Sequence, residues 1–150
     1  QIYVDDIKWS KILKYGKMAL VNNPKSFFKS GRTIKFHFDM FHGNGVLDKA
    51  IKVLNKNDKD DFKHYVNNNN SFNQANMFIC KSPQLLMRYY DCIFEWLFNC
   101  EKIFGLNLSG YGKIRLYAFL AERFLPFWFK KYSKCLDWPI IFNDLRKEIF

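Results

Sequence analysis

The stretch that most limits what this chain can fold into is SPQLLMRYYDCIFEWLFNCEKIFG, residues 82–105. A serine in the place of Ser82 caps a helix through its side-chain oxygen. Pro83 suits the first helical position, where its missing N–H would have had no partner. Leu85, Leu86, Tyr89, Ile93, Trp96, Leu97, Cys100 and Phe104 then recur at three- and four-residue steps, and Gly105 stops the run. The spacing predicts a helix from 83 to about 104.

A second long helix is predicted over 113–125, turning Ile114, Tyr117, Leu120, Ala121 and Phe124 inward, with Pro126 kinking or ending it. Shorter elements come before. They are a helix around 6–14, a strand KMALV (17–21) stopped by Asn22-Asn23-Pro24, an amphipathic helix over 46–56 and a further helical segment in NDKDDFKHYV (57–66). NNNNSFNQ (67–74) reads as a polar loop, the run ending at Cys80 as a buried strand of about five residues, and GLNLSGYG (105–112) as a glycine-rich connector. A last short helix is expected in NDLRKEIF. The sum is a helix-rich α/β chain with two or three strands, too few for a complete sheet of that class. At 150 residues it is one domain or the C-terminal part of a larger one.

The net charge of +10 would suit nucleic acid, an anionic membrane or a phosphorylated ligand. The basic residues are spread along the chain, however, and Lys, Asn, Phe and Ile are all abundant, the signature of AT-rich codon usage. Cys80, Cys92, Cys100 and Cys135 show no CxxC spacing, which argues against zinc and fits a reducing, cytoplasmic setting. No run approaches the roughly 20 apolar residues of a membrane span. LYAFLAERFLPFWF (116–129) carries Glu122 and Arg123 at its centre. WFKKYSK (128–134) sets Lys130, Lys131 and Lys134 beside Trp128 and Phe129, a candidate for lying on a membrane surface.

Four constellations could carry chemistry. HFDMFHG holds His37, Asp39 and His42. On a strand the His-x-Asp spacing would put His37 and Asp39 on one face, and His42 before a glycine could approach a ligand or metal. The plainer alternative is a pair of half-buried histidines in an aromatic cluster. Asn76, at the mouth of a buried strand, needs hydrogen-bond partners: sugar hydroxyls if ligands gather there, or a loop if they do not. Asp91 and Glu95 share a helix face, as acid–base partners or as a solvated surface. Glu122 and Arg123, set in an apolar run, form either an internal salt bridge or a ligand site in which Arg123 serves a carboxylate or phosphate. There is no Walker loop, GxGxxG or GxSxG.

Taken in order, NMFI (76–79), YYDCIFEWLF (89–98) and RLYAFLAERF (115–124) resemble the C-terminal part of the glycosyltransferase domain of capsular-polysaccharide and lipopolysaccharide biosynthesis proteins, long catalogued as a domain of unknown function. FHGNGVLDKAIKVL (41–54) is similar to that family's His-containing segment, and Ala121 stands where a serine is usual. The resemblance covers about residues 33–128. The His-Tyr-Arg-Arg segment of the family's N-terminal half is not found. The resemblance implies a GT-A-like, Rossmann-like fold and transfer of a sugar from a nucleotide-sugar donor to a glycan or lipid-linked glycan acceptor, at the cytoplasmic face of the inner membrane. A divalent metal, Mn²⁺ or Mg²⁺, would assist. It implies catalytic roles for Glu122 and Asp39, substrate contacts from Asn76, Arg123, His42 and Glu95, and His42 as a metal ligand. The rival expectation is a non-catalytic basic module that binds anionic membrane or nucleic acid. No nucleic-acid motif supports that half of it.

Overall fold

The computed structural model describes residues 18–22, 32–73 and 76–139. The helices expected over 6–14 and in NDLRKEIF lie outside the described residues. In chain order the elements are β1 (Met18–Asn22), α1 (Ile34–His42), α2 (Val46–Lys52), α3 (Lys56–Asn68), β2 (Phe78–Cys80), α4 (Pro83–Phe104), α5 (Tyr111–Ile114), α6 (Leu116–Tyr132) and β3 (Cys135–Pro139). The architecture is helix-rich α/β. The described strands form one mixed sheet in the order β2-β1-β3, with β2 antiparallel and β3 parallel to β1.

Caps explain most of the boundaries. Ser82 Oγ accepts the Leu85 N–H at 3.2 Å, and Gly105 closes α4 at φ 68°, where a side chain would be strained. Thr33 Oγ1 accepts the Phe36 N–H at 3.1 Å and starts a helix where the His-x-Asp spacing of His37 and Asp39 is read on a strand. Ile34, Phe38 and His42 are the buried positions of that helix, four residues apart, so the period is helical after all. The two helical segments expected over 46–56 and 57–66 are both present, but the first ends at Lys52 and the second begins at Lys56. Asn55 Oδ1 accepts the Asp58 N–H at 3.0 Å, and this competes with continuation of the first helix while it begins the second.

The core is aromatic. Phe62, Trp96 and Phe124 are fully or almost fully buried and meet at ring separations of 5.0–5.7 Å. The Trp96 indole N–H donates to the Ala50 carbonyl at 2.8 Å, which pins α4 to α2. Helix α6 runs through Pro126 to Tyr132 instead of stopping there. Pro126 has no N–H to give the Glu122 carbonyl, but every residue from Arg123 to Phe129 is buried, and that packing holds the helix together. Trp128 and Phe129 are therefore core residues. The expected membrane-surface patch has no exposed aromatics to offer, and no helix among the described residues is long and apolar enough to cross a membrane.

One buried carboxylate locks the far end of α6. Asp58, 2% exposed, accepts from Tyr132 Oη at 2.7 Å, Lys131 Nζ at 2.9 Å and Asn55 Nδ2 at 3.0 Å. Burial works against its ionisation, yet these hydrogen bonds and the Lys131 charge outweigh it and hold the Asp58 pKa below the ordinary value. A depressed carboxylate stabilises the fold above its unfolded-state pKa of about 4, and that contribution disappears as the pH falls through the native value. Asp58→Asn is expected to cost about 1–3 kcal/mol at pH 7. The variant should lose less stability than the wild type between pH 5 and strongly acid pH, measured by urea unfolding across that range. The nearby Cys92 thiol is pushed up to about 12 by burial and by the Asp58 charge, so it is an inert packing group.

Candidate functional site

A pocket of about 310 Å³ opens between α1, α5 and α6, lined by His37, Phe41, His42, Phe72, Tyr111, Gly112, Phe119, Glu122 and Arg123. Two segments the sequence singles out, HFDMFHG and LAERF, supply its polar groups from 86 residues apart. Helix α1 turns His37 and His42 toward the pocket and carries Asp39 to its other side.

Arg123 is the buried centre, 2% exposed. One terminal N–H donates to the Glu122 carboxylate, and the other approaches His37 Nδ1 at 3.3 Å. The guanidinium lies 4.4 Å from the Phe72 ring centre. Its Nε–H makes no hydrogen bond among the described residues and has that ring against it instead. Burial pulls the guanidinium down to about 10 while the Glu122 charge opposes the shift, so Arg123 stays a cation at neutral pH. Of the two expectations for this pair, the internal salt bridge is present, and it stands in the pocket wall.

The two histidines are neutral for related reasons. Burial first, then the Arg123 charge and His42, lower His37 to about 4. Burial lowers His42 as well; the hydrogen bond to Gly112 works the other way, and the Arg123 charge adds to the lowering. His42 Nδ1 lies 2.9 Å from the Gly112 carbonyl, which can only accept. The proton of the neutral ring is therefore on Nδ1, and Nε2 is the acceptor. His37 takes the opposite form, since its Nδ1 accepts from Arg123. The His42 ring stacks on Phe119 at 4.2 Å and 27°.

Gly112 is what lets α5 come this close. A Cβ on it would sit 2.2 Å from the Phe41 carbonyl oxygen at the end of α1. The connector GLNLSGYG thus contains a helical turn that delivers Tyr111, Gly112 and its carbonyl to the pocket. Sequence reasoning missed this, as it missed the wall residues Phe41, Phe72 and Phe119. The glycine preceding a helical pattern was the available signal.

The other expected site residues lie elsewhere. Asp39 accepts from Lys35 at 2.5 Å and from the Gly45 N–H at 3.3 Å, a brace between α1 and α2. Lys35 reaches on to Asp48 at 2.9 Å. Glu95 is on the exposed face of α4. Asn76 is exposed, and its amide donates to the Ala118 carbonyl at 3.4 Å, a tie from the start of β2 to α6, one turn before Glu122. A metal set does not form: among the described residues no three His, Cys, Asp or Glu side chains cluster. His42 has its Nδ1 committed to Gly112, and Glu122 is held by Arg123.

The fold and site thus define a helix-rich α/β chain with an aromatic-walled pocket in which Glu122 pairs with Arg123. The chain belongs to the family described as Domain of unknown function (DUF4422), whose profile matches residues 3–134. Comparison with curated proteins and with solved structures gave no match.

Proposed function

We propose that this is a sugar-transferring domain, part or all of a glycosyltransferase that moves a sugar from a nucleotide-sugar donor to a growing bacterial surface glycan at the cytoplasmic face of the membrane. The observation that carries the reading is the convergence of His42, Glu122 and Arg123 in one pocket with aromatic faces around them. Sugars present apolar C–H faces and hydroxyls that both donate and accept, and such walls suit both. Three of the residues named from the resemblance meet there, though they come from segments distant in sequence.

In this reading His42 Nε2 accepts from a sugar hydroxyl. Glu122 is the pocket's carboxylate, and Arg123 sets its position and charge. Asp39 acts through structure, as the brace that holds α1 and α2 in register. Asn76 and Glu95 stand outside the pocket lining. The described residues do not provide a metal-ligand set, so no step is assigned to Mn²⁺ or Mg²⁺.

The test is release of nucleoside diphosphate from a panel of nucleotide sugars by the full chain. Lipid-linked glycan acceptors are supplied, and each reaction is run with Mn²⁺ and with a chelator. Turnover of at least one donor is expected, falling at least tenfold in His42→Ala and unchanged in Asn76→Ala and Glu95→Ala. Failure of every donor would overturn the reading. Turnover that is indifferent to His42→Ala would remove the pocket from it.

A further inference from the structure

We infer that the pocket takes an uncharged hydroxylated ring, a neutral hexose or N-acetylhexosamine unit, and excludes phosphate and carboxylated sugars. The inference rests on the sugar-transfer reading and narrows it to a class of ring. It begins from a charge balance. Among the described residues Arg123 is the cation in the pocket lining, and Glu122, the neighbouring carboxylate, pairs with it, while Arg115 lies outside the lining over the Phe119 ring. A phosphate or uronate site needs cationic donors whose charge is not cancelled by an adjacent anion. The two histidines add no charge at neutral pH, because partial burial of His37 and burial of His42, together with the Arg123 charge, lower both.

The remaining groups suit a neutral ring. His42 Nε2 is an acceptor, fixed as such by the bond from Nδ1 to Gly112. The Phe119 ring stacked on His42, with Phe41, Phe72 and Tyr111, gives the lining several apolar faces. A volume of about 310 Å³ is at the small end for ligand sites, which favours a single ring over a whole nucleotide sugar. The diphosphate of a donor would then lie outside this pocket.

The experiment follows the histidine ring signals of the ¹⁵N-labelled full chain at pH 7. It is titrated separately with galactose, N-acetylglucosamine, glucuronate and inorganic phosphate. At least one neutral sugar should shift the His42 signals. The signals of His64, exposed on α3, should stay still. Glucuronate and phosphate should bind there at least tenfold more weakly. Glu122→Gln leaves the Arg123 charge unmatched and should raise the phosphate response at His42 by at least tenfold. Should that variant fail to fold, the wild-type ranking decides alone. Phosphate or glucuronate moving His42 as strongly as the neutral sugars would overturn the inference, and so would silence from all four. Turnover of a uronic-acid donor in the donor panel would overturn it while sugar transfer stood. Neutral-sugar shifts without any turnover would leave the selectivity and remove the transfer.

Discussion

Glu122→Ala is expected to destabilise the protein by about 3 kcal/mol, lowering the melting temperature by roughly 6–12 °C for a domain of this size. The substitution leaves Arg123, 3% exposed at its side chain, as a buried cation without its carboxylate. Arg123→Met should be much milder, about 1 kcal/mol, although it removes the larger group. Glu122 keeps 17% of its side chain in solvent and can recover hydration, whereas methionine fills much of the space against Phe72 and Phe38. The order of the two losses is the point. Thermal and urea unfolding of both variants at pH 7 measures it, and an Arg123→Met protein less stable than Glu122→Ala would show that the guanidinium is held by its aromatic contacts more than by its counter-charge.

Gly112→Ala is the second large effect. The added methyl would meet a backbone carbonyl at 2.2 Å, and a carbonyl at a helix end has little room to retreat. Helix α5 must move away from α1, at a cost of about 1–3 kcal/mol. The hydrogen bond between Gly112 and His42 stretches or breaks with that movement. His42 then loses the partner that fixes its tautomer, and its ring ¹⁵N signals should change from the Nδ1–H pattern to a mixture. Turnover of any donor the wild type uses should fall by about a hundredfold, the scale of an ångström-sized displacement in a reacting site. An alanine variant with unchanged His42 signals would show that α5 has no hold on the ring.

These two predictions rest on parts of the site that were unequally legible in the sequence. Helix α4 could be read almost to the residue, because Ser82, Pro83, the apolar period and Gly105 all point the same way. Glu122 and Arg123 stood out because charges in an apolar run need an explanation, and the salt bridge follows from that physics. HFDMFH misled because the two-residue spacing of His37 and Asp39 suits one face of a strand, while the helical period shows only when Ile34, Phe38 and His42 are read together with the Thr33 cap. Pro126 misled because it obeys a local rule that burial of its neighbours overrides. The meeting of Gly112 and His42, 70 residues apart, has no local signature at all. It depends on where α5 docks, which only the tertiary packing decides.

The order of the sheet bears on how the molecule comes into being. Met18 pairs with Cys135 on one side and with Cys80 on the other, so the first described strand is the middle one. During synthesis β1 emerges long before either neighbour, and its parallel partner is made only after α6 is complete. The helical body can form from local contacts in the meantime, but sheet closure is the slow, long-range step. A nascent chain stalled short of Cys135 would hold its helices together and still present an open strand edge, the kind of surface that chaperones guard.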